Sequence, residues 1–572
     1  MKLTKISFEL IGKKLRQAML RFPLTIVCIL TLAVLMIVNI HNHFSHLIDE
    51  RLWWFLGLSI PLSLAFYLFA ENRINCLLKN GLNILLVGLI AWFTLTLTRP
   101  IIDAESIRMI AIGVSFGLAV FFAPYITGKR PLSFWEYVQE LVIQLITSYV
   151  FAGILMGGLS LALVSLDKLF GVDIHTNTYS YLSVICVIVF APLYFLSTLP
   201  KGIDEEQIED FEFPKIYKIL GLYILLPIIA IYIVILYGYL GKIIFTWQLP
   251  NGWVSWLVSI LGITGYLTIS LLHPLYLKGE NKVTKLFTRF FPVILIPLLT
   301  LMLVGIIRRF SDYGITINRS YVLLLNLWLF GISIFLFITQ TKQIKGIFIS
   351  FALVAFLFSI GPWSVFSITE HSLKSELKQL LTGVKPTDKS GTNSTISNMN
   401  INQKKRIFDV IKYMEHTYSK KSVNSILSTS LGKDANSDDL IKLLHLSSDT
   451  MSDKYISVTS VDESTMFNIS EYQTCIKLVQ RYDNSDLFKN DSLSVKVKGK
   501  TIEILRTGKS PILIPLDNIL AKDTDHKANF KTEELTLIGN DYKLVIFVIN
   551  GNRKAETNEV KINYINAILF LK

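Results

Sequence analysis

The sequence predicts a polytopic α-helical membrane bundle of about eleven spans, followed by an α+β extramembrane domain with a small antiparallel β-sandwich. Three observations carry that prediction. Hydrophobic residues make up 52% of the 572 and charged residues only 17%, where soluble chains run near 25% charged. Apolar runs of roughly 17–26 residues recur through the first two-thirds of the chain, the length a helix needs to cross about 30 Å of hydrocarbon. The charge is also partitioned. Residues 370–572 hold 29 Lys and Arg and 25 Asp and Glu, which leaves 27 and 18 for residues 1–369, where all nine Trp lie. This composition excludes a soluble enzyme, a disordered regulator and a secreted disulfide scaffold.

Residues 1–21 form a basic tail whose alternating basic and apolar residues suit a helix on the inner membrane surface. The bundle covers 22–362, with spans near 22–40, 52–70, 82–98, 107–127, 138–166, 179–199, 216–240, 254–277, 290–307, 320–340 and 346–362. The fifth is too long for one straight crossing, so its start, from Trp135 to Glu140, is expected along the interface. The stretch 243–253, with Trp247, Pro250 and Trp253, reads as an interfacial loop. Placing the N-terminus inside puts 19 Lys and Arg on inner segments and 8 on outer ones, the bias that orients membrane proteins. An odd number of spans then sets the C-terminal domain outside the cytoplasm. The first apolar run is too long for a cleavable signal and is expected to stay as an anchor. Trp53, Trp54, Trp135, Trp253 and Trp363 fall at span ends, as an aromatic belt requires.

Beyond the bundle, 363–400 reads as a juxtamembrane helix, over 370–382, and a polar linker, over 384–400. A helical subdomain follows at 401–454. Ile407, Val410, Ile411 and Met414 recur at helical spacing, and a second short helix at 437–446 has Ser437 as N-cap. The β-rich domain is 455–572. Period-two patterning there marks strands at 455–461, 475–481, 492–498, 500–506, 511–516, 534–538, 542–549 and 559–571. Lys498-Gly499-Lys500 marks one hairpin turn and Asn550-Gly551 another. Lys496, Lys498 and Lys500 alternate on one strand face, read as solvated.

Residues that could carry chemistry are few. Cys28, Cys76, Cys186 and Cys475 are scattered, with no pair suited to zinc or redox work. No ionisable residue stands out in mid-span, which counts against a proton- or sodium-coupled transporter. Pro192, Pro227, Pro292 and Pro297 lie inside spans and are read as kinks. The Gly113–Gly117 and Gly153–Gly157 pairs are read as close internal packing, and Asn326 and Gln144 as interhelical hydrogen bonding. His41, His43 and His46, followed by Asp49 and Glu50, match no metal motif and are read as a solvated loop. The loop RRFSDYGITINR, 308–319, is the most unusual, because three Arg fall on the side where basic residues are depleted. Asp312 is expected to neutralise one of them. The alternative is that Arg308, Arg309 and Arg319 contact an anion such as lipid phosphate through planar bidentate hydrogen bonds. No residue set points to a cofactor, a metal or a catalytic motif.

The pieces RFPLT at 21–25, SLDKLFGVDI at 165–174, PLYFLSTLP at 192–200, LPNGWVSWLVS at 249–259, RRFSDYGITINR at 308–319, GPWSVFSIT at 361–369 and INGNRK at 549–554 resemble, in order, the bacterial family known as domain of unknown function 4153. The resemblance implies a polytopic inner-membrane protein with a C-terminal extramembrane domain, and it implies no activity. The partners expected are the lipid bilayer and either envelope proteins or anionic lipids. Of the net +13, +9 belongs to the membrane part, so nucleic acid is not expected. A non-enzymatic envelope binding or assembly protein is the leading reading. A transporter or flippase of a lipid-linked or anionic amphipathic substrate comes second, and an integral-membrane transferase at the outer leaflet third.

Overall fold

The computed structural model describes residues 2–42, 48–71, 73–126, 131–200, 213–246, 253–279, 281–340, 343–382, 401–431, 437–438, 440, 454–460, 467, 469–479, 486–490, 492–520, 529–553 and 560–572. The chain forms two compact units. One comprises Met1–Gln379 with Tyr413–Ser422, the other Leu380–Lys412 with Val423–Lys572.

The first unit begins with α1 (Lys2–Arg21), the helix expected of the basic tail. Ten helices long and apolar enough to cross a membrane follow among the described residues. They are α2 (Pro23–His41), α3 (Glu50–Ala70), α4 (Cys76–Leu95), α5 (Asp103–Phe122), α6 (Pro131–Phe170), α7 (Thr176–Thr198), α8 (Lys215–Thr246), α9 (Trp253–Lys278), α10 (Lys282–Tyr313) and α11 (Ile317–Ile338). Their apolar side chains fill the interior or face outward into hydrocarbon. The large exposed hydrophobics, such as Ile154, Phe245 and Trp256, therefore need no other explanation. In α7 and α8, π-helical turns at Val184–Phe190 and Ile219–Leu225 end two residues before Pro192 and Pro227. A proline lacks the N–H and presses on the carbonyl four residues back, and a widened turn accommodates both.

The eleventh expected span differs from its prediction. It is α12 (Lys345–Leu357), only 13 residues, or about 20 Å of helix. Gly361, with φ +79°, and Pro362 stop it, and the chain turns over 358–364 before α13 (Val365–Leu380). The Val365 N–H reaches back to the Phe358 carbonyl at 2.9 Å, which keeps the turn closed. The contacts of this segment still run the length of the bundle. Ile344 packs among Phe22, Phe134 and Leu199, at the end where α2 begins and α7 stops. Ala352 accepts from the Ser115 hydroxyl of α5 at 2.7 Å. Thr369 lies 3.4 Å from Ser320, at the opposite end, where α11 begins. Helix, turn and the start of α13 together make the traverse that one straight helix was expected to make.

α6 is one continuous helix of 40 residues. Its first turns do not lie along the lipid interface. Phe134, Trp135 and Tyr137 are buried, and the Trp135 ring packs on Phe213 and Tyr217. Trp135 therefore leaves the expected aromatic belt. Its indole N–H donates at 3.0 Å to the Ser270 carbonyl. That carbonyl lies four residues before Pro274, inside α9, so the proline has removed its helical donor and the indole supplies the replacement. The stretch 247–252 of the expected interfacial loop lies outside the described residues, as do His43 and His46 and the 384–400 linker.

The second unit contains most of α14 (Ile401–Thr417) and α15 (Lys420–Leu431), then ten strands. They are β1 (Lys454–Ser460), β2 (Thr474–Val479), β3 (Asp486–Lys489), β4 (Leu493–Lys498), β5 (Thr501–Arg506), β6 (Ile512–Pro515), β7 (Asn529–Phe530), β8 (Thr536–Ile538), β9 (Tyr542–Arg553) and β10 (Val560–Leu571). The 437–446 helix expectation falls largely outside the described residues. One sheet has the order β2-β10-β9-β1-β7, with β8 also on β9, and the other β3-β4-β5-β6. All pairs are antiparallel except β1 with β7. The two sheets share one core, in which Val458, Leu478, Ile549 and Leu569 meet Val495, Ile502, Ile504 and Ile514. This is the predicted sandwich.

The Lys498-Gly499-Lys500 turn joins β4 to β5, with Gly499 at φ +59°. The Asn550-Gly551 turn does not form. Both residues lie inside β9, paired with β10 on one side and β1 on the other. Gly551 is needed there for close approach, since a Cβ would stand 2.6 Å from the Lys561 carbonyl oxygen. The register shifts between Ile562 and Tyr564. The buried face accordingly changes parity, from Val560 and Ile562 to Ile565, Ala567 and Leu569.

Candidate functional site

The two ends of the helical unit are built differently. At the end where α2 begins, Arg21 donates from Nε and Nη2 to the two carboxylate oxygens of Glu71, at 2.7 and 2.6 Å. It also donates to the carbonyls of Leu199 and Pro200, both at 2.9 Å. Those carbonyls lie at and just past the end of α7, where helical donors run out. The planar fork thus ties α1 to the ends of α3 and α7. This end also carries His273, fully buried in α9 beside Pro274. His273 lies inside the span expected at 254–277, so the expectation of apolar mid-spans passed over it.

Deeper in the bundle the polar side chains act between helices. Asn326 is fully buried and donates to the Leu299 carbonyl of α10 at 3.0 Å. The Asn83 amide donates to Ser63, whose hydroxyl also pairs with Thr25 at 2.8 Å. Gln144 does not share that burial and is only half-buried. Gly113 packs internally, with the Leu58 side chain 3.4 Å from the position of a Cβ, whereas Gly153 and Gly157 meet nothing within 4 Å.

At the opposite end Phe366 is the hub. Its ring meets that of Tyr321 edge-on at 5.8 Å, its carbonyl accepts from the Tyr418 hydroxyl at 2.9 Å, and the Arg108 guanidinium lies 4.8 Å from its centroid. Tyr321 reaches Ser359 at 3.2 Å, and the Tyr413 hydroxyl accepts from the Ile317 N–H at 3.0 Å. The loop singled out in the sequence is at this end. Arg308 and Arg309 are exposed at the end of α10, and Arg319 turns back to donate to the Gly314 carbonyl at 2.8 Å. The side chain of Asp312 lies outside the described residues. Arg108 received no functional reading in the sequence. Its only signal there was a cation inside the first turns of an apolar helix.

Three concavities stand out. One, about 610 Å3, runs along α11 and α12 past Leu327, Trp328, Ile349 and Leu353, with Gln343 and Lys345 at one end. Another, about 460 Å3, lies among α2, α3, α5, α6 and α7 and is almost wholly apolar. The third, about 580 Å3, is in the second unit beside β2, the edge strand of the larger sheet. Ile476, Phe488, Leu493 and Leu571 give it apolar walls, and Lys477, Arg506 and Lys509 make it basic. Cys475, on the same strand, is exposed. No group of three or more metal-ligating side chains occurs among the described residues.

Known proteins place the helical unit in a family. A protein of Pasteurella multocida, described as an uncharacterized protein, is 25% identical over 298 residues, 51% of this chain and 49% of its own length. The chain thus spans about half the length of the curated relative it matches. No solved structure matches. Residues 25–376 match the family described as domain of unknown function (DUF4153), a span that takes in Arg108, the Trp135–Ser270 contact and Phe366. With more than half of its length matched, the chain belongs to the DUF4153 family of multi-pass membrane proteins.

Proposed function

We propose that this chain is a non-enzymatic binding protein of the bacterial inner membrane, with a cytoplasmic N-terminus and a periplasmic sandwich that engages envelope partners. The observation that carries the reading is the basic cavity beside β2. An exposed strand edge offers unpaired N–H and C=O groups, and the apolar walls and three cations next to it supply side-chain selectivity. The excess of Lys and Arg on the inner segments supports the orientation. So does the traverse made by α12 and the turn after it, which returns the chain to the end opposite Arg21.

Two native thiols test this. Cys76 begins α4 near the Arg21 end, and Cys475 lies on β2, and both are exposed. A membrane-impermeant maleimide applied to right-side-out spheroplasts is expected to label Cys475 and to reach Cys76 only after permeabilisation. The reverse pattern overturns the orientation. Charge reversal of Lys477 and Lys509 is expected to abolish complementation of a deletion strain at unchanged membrane level, and full complementation removes the binding reading. The long apolar concavity along α11 and α12, ending at Gln343 and Lys345, favours a second reading, movement of a lipid-linked substrate. Under that reading the charge-reversed sandwich remains active.

A further inference from the structure

The cations at the Phe366 end are not equivalent. Arg51 donates to the carbonyls of Leu95 and Leu97, Arg99 pairs with Asp49, and Arg319 donates to Gly314. Arg108 makes no hydrogen bond and no ion pair among the described residues. Its Nε is enclosed by protein with no acceptor, and its guanidinium rests on the Phe366 ring at 4.8 Å. The carboxylates on the surrounding elements are engaged elsewhere. Glu105, one turn earlier on α5, accepts from the Thr98 N–H at 3.1 Å and from the Thr98 hydroxyl at 2.7 Å. Asp103 pairs with His416 at 2.9 Å. Glu370 pairs with Lys374 at 2.7 Å and accepts from Ser422 at 3.1 Å.

A guanidinium does not deprotonate, so its charge stays. It sits five residues into α5, about 8 Å along a helix that continues into hydrocarbon. A half-buried cation there is costly unless an anion answers it. Stacking uses the face of the guanidinium and leaves its edge, where the N–H groups point, for a planar fork onto two oxygens. We infer that Arg108, held flat on Phe366, binds one phosphate-class oxyanion at the rim of the helical unit. A lipid phosphodiester and a soluble phosphate share the chemistry. The inference is independent of the reading of the sandwich, which lies in the other unit.

The full chain is purified in a neutral detergent and reconstituted into phosphatidylcholine vesicles, alone or doped with phosphatidylglycerol. Thermal unfolding is followed by tryptophan fluorescence, and retained lipid by native mass spectrometry. Wild type is expected to gain stability and to retain phosphatidylglycerol. Arg108→Gln is expected to bind about tenfold more weakly, the loss of one charge-assisted fork. Arg108→Lys is expected to fall between the two, because it keeps the charge and loses the fork, and it stands in if the glutamine variant fails to fold. Arg99→Gln, at the same end and already paired with Asp49, is expected to keep the full response. If inorganic phosphate added to phosphatidylcholine vesicles reproduces the gain, and Arg108→Gln abolishes it, the anion is soluble rather than a lipid. No response of wild type to either anion, or an undiminished response in the folded Arg108 variants, overturns the inference.

Discussion

Arg21 and Arg108 sit at opposite ends of the same helical unit and use the same side chain in opposite ways. Arg21 gives four hydrogen bonds to the chain, two to a carboxylate and two to carbonyls at the end of a helix. Arg108 gives none among the described residues and keeps only a ring face. A guanidinium satisfied by its own chain holds helices together, and its removal exposes groups that nothing else can pair. A guanidinium that finds no acceptor in its own chain keeps its donors for a partner outside it, as inferred above for Arg108. The rest of each end agrees. Around Arg21 the chain ends of α3 and α7 are tied and the core of Phe22, Trp135 and Tyr137 closes over them. Around Arg108 the hydroxyls of Tyr321 and Tyr418 are used to shape a rim.

Three changes break or sharpen this contrast. Arg21→Ala has the largest expected effect. It strands the partly buried Glu71 carboxylate and two carbonyls, and is expected to cost about 3–5 kcal/mol, read as a lower midpoint of thermal unfolding in neutral detergent and a lower membrane level. Arg21→Lys is expected to recover little, because a point charge cannot fill four directed positions. An unchanged midpoint would show that the tie is ornamental. Trp135→Phe comes next. Leaving the Ser270 carbonyl without its donor is expected to cost about 1–3 kcal/mol. In a Pro274→Ala background the loss is expected to shrink, since alanine at that position restores a helical N–H. Equal costs in both backgrounds would detach the indole from the proline. Arg108→Gln has the smallest expected effect on stability in neutral detergent. It gives up the stacking on Phe366, about 0.5–1 kcal/mol, but also removes a half-buried charge that neutral detergent leaves unanswered, so the midpoint is expected to move little. A loss as large as that of Arg21→Ala would mean that the open guanidinium is structural after all.

Much of the fold was legible because its causes are local. Ten of the eleven apolar runs became long helices, since a run of that length in hydrocarbon has only helical backbone bonding open to it. Strands β4 and β5 and the turn between them follow from alternation and one Gly with positive φ. The misreadings have causes distant in sequence. Asn550-Gly551 reads as a turn until β1 and β10 pair on both sides of it and a bulge brings the Lys561 carbonyl against the glycine. Trp135 reads as an interfacial residue until Pro274, far along the chain, leaves a carbonyl that its indole can reach. The short β3 and β7, of four and two residues, carry too little alternation to be seen.

The same division runs through the candidate sites. The loop at 308–319 attracted attention because three arginines fall where basic residues are scarce, a property of composition. Arg108 gave no comparable signal, because what sets it apart is the engagement of Glu105, Asp103 and Glu370 elsewhere. The motif residues of RFPLT and PLYFLSTLP were visible as separate pieces, and only the folded chain joins them, through Arg21 on Leu199 and Pro200. By itself the sequence determined that this is a multi-pass membrane protein with a β-rich C-terminal domain, because hydrophobic length and period are sums over neighbouring residues. The tertiary structure alone decided which cation is tied, which is open and which carbonyl a proline leaves for an indole. Hydrogen bonds are decided by partners a few ångströms away in space, and those partners come from residues dozens to more than a hundred positions away in the chain.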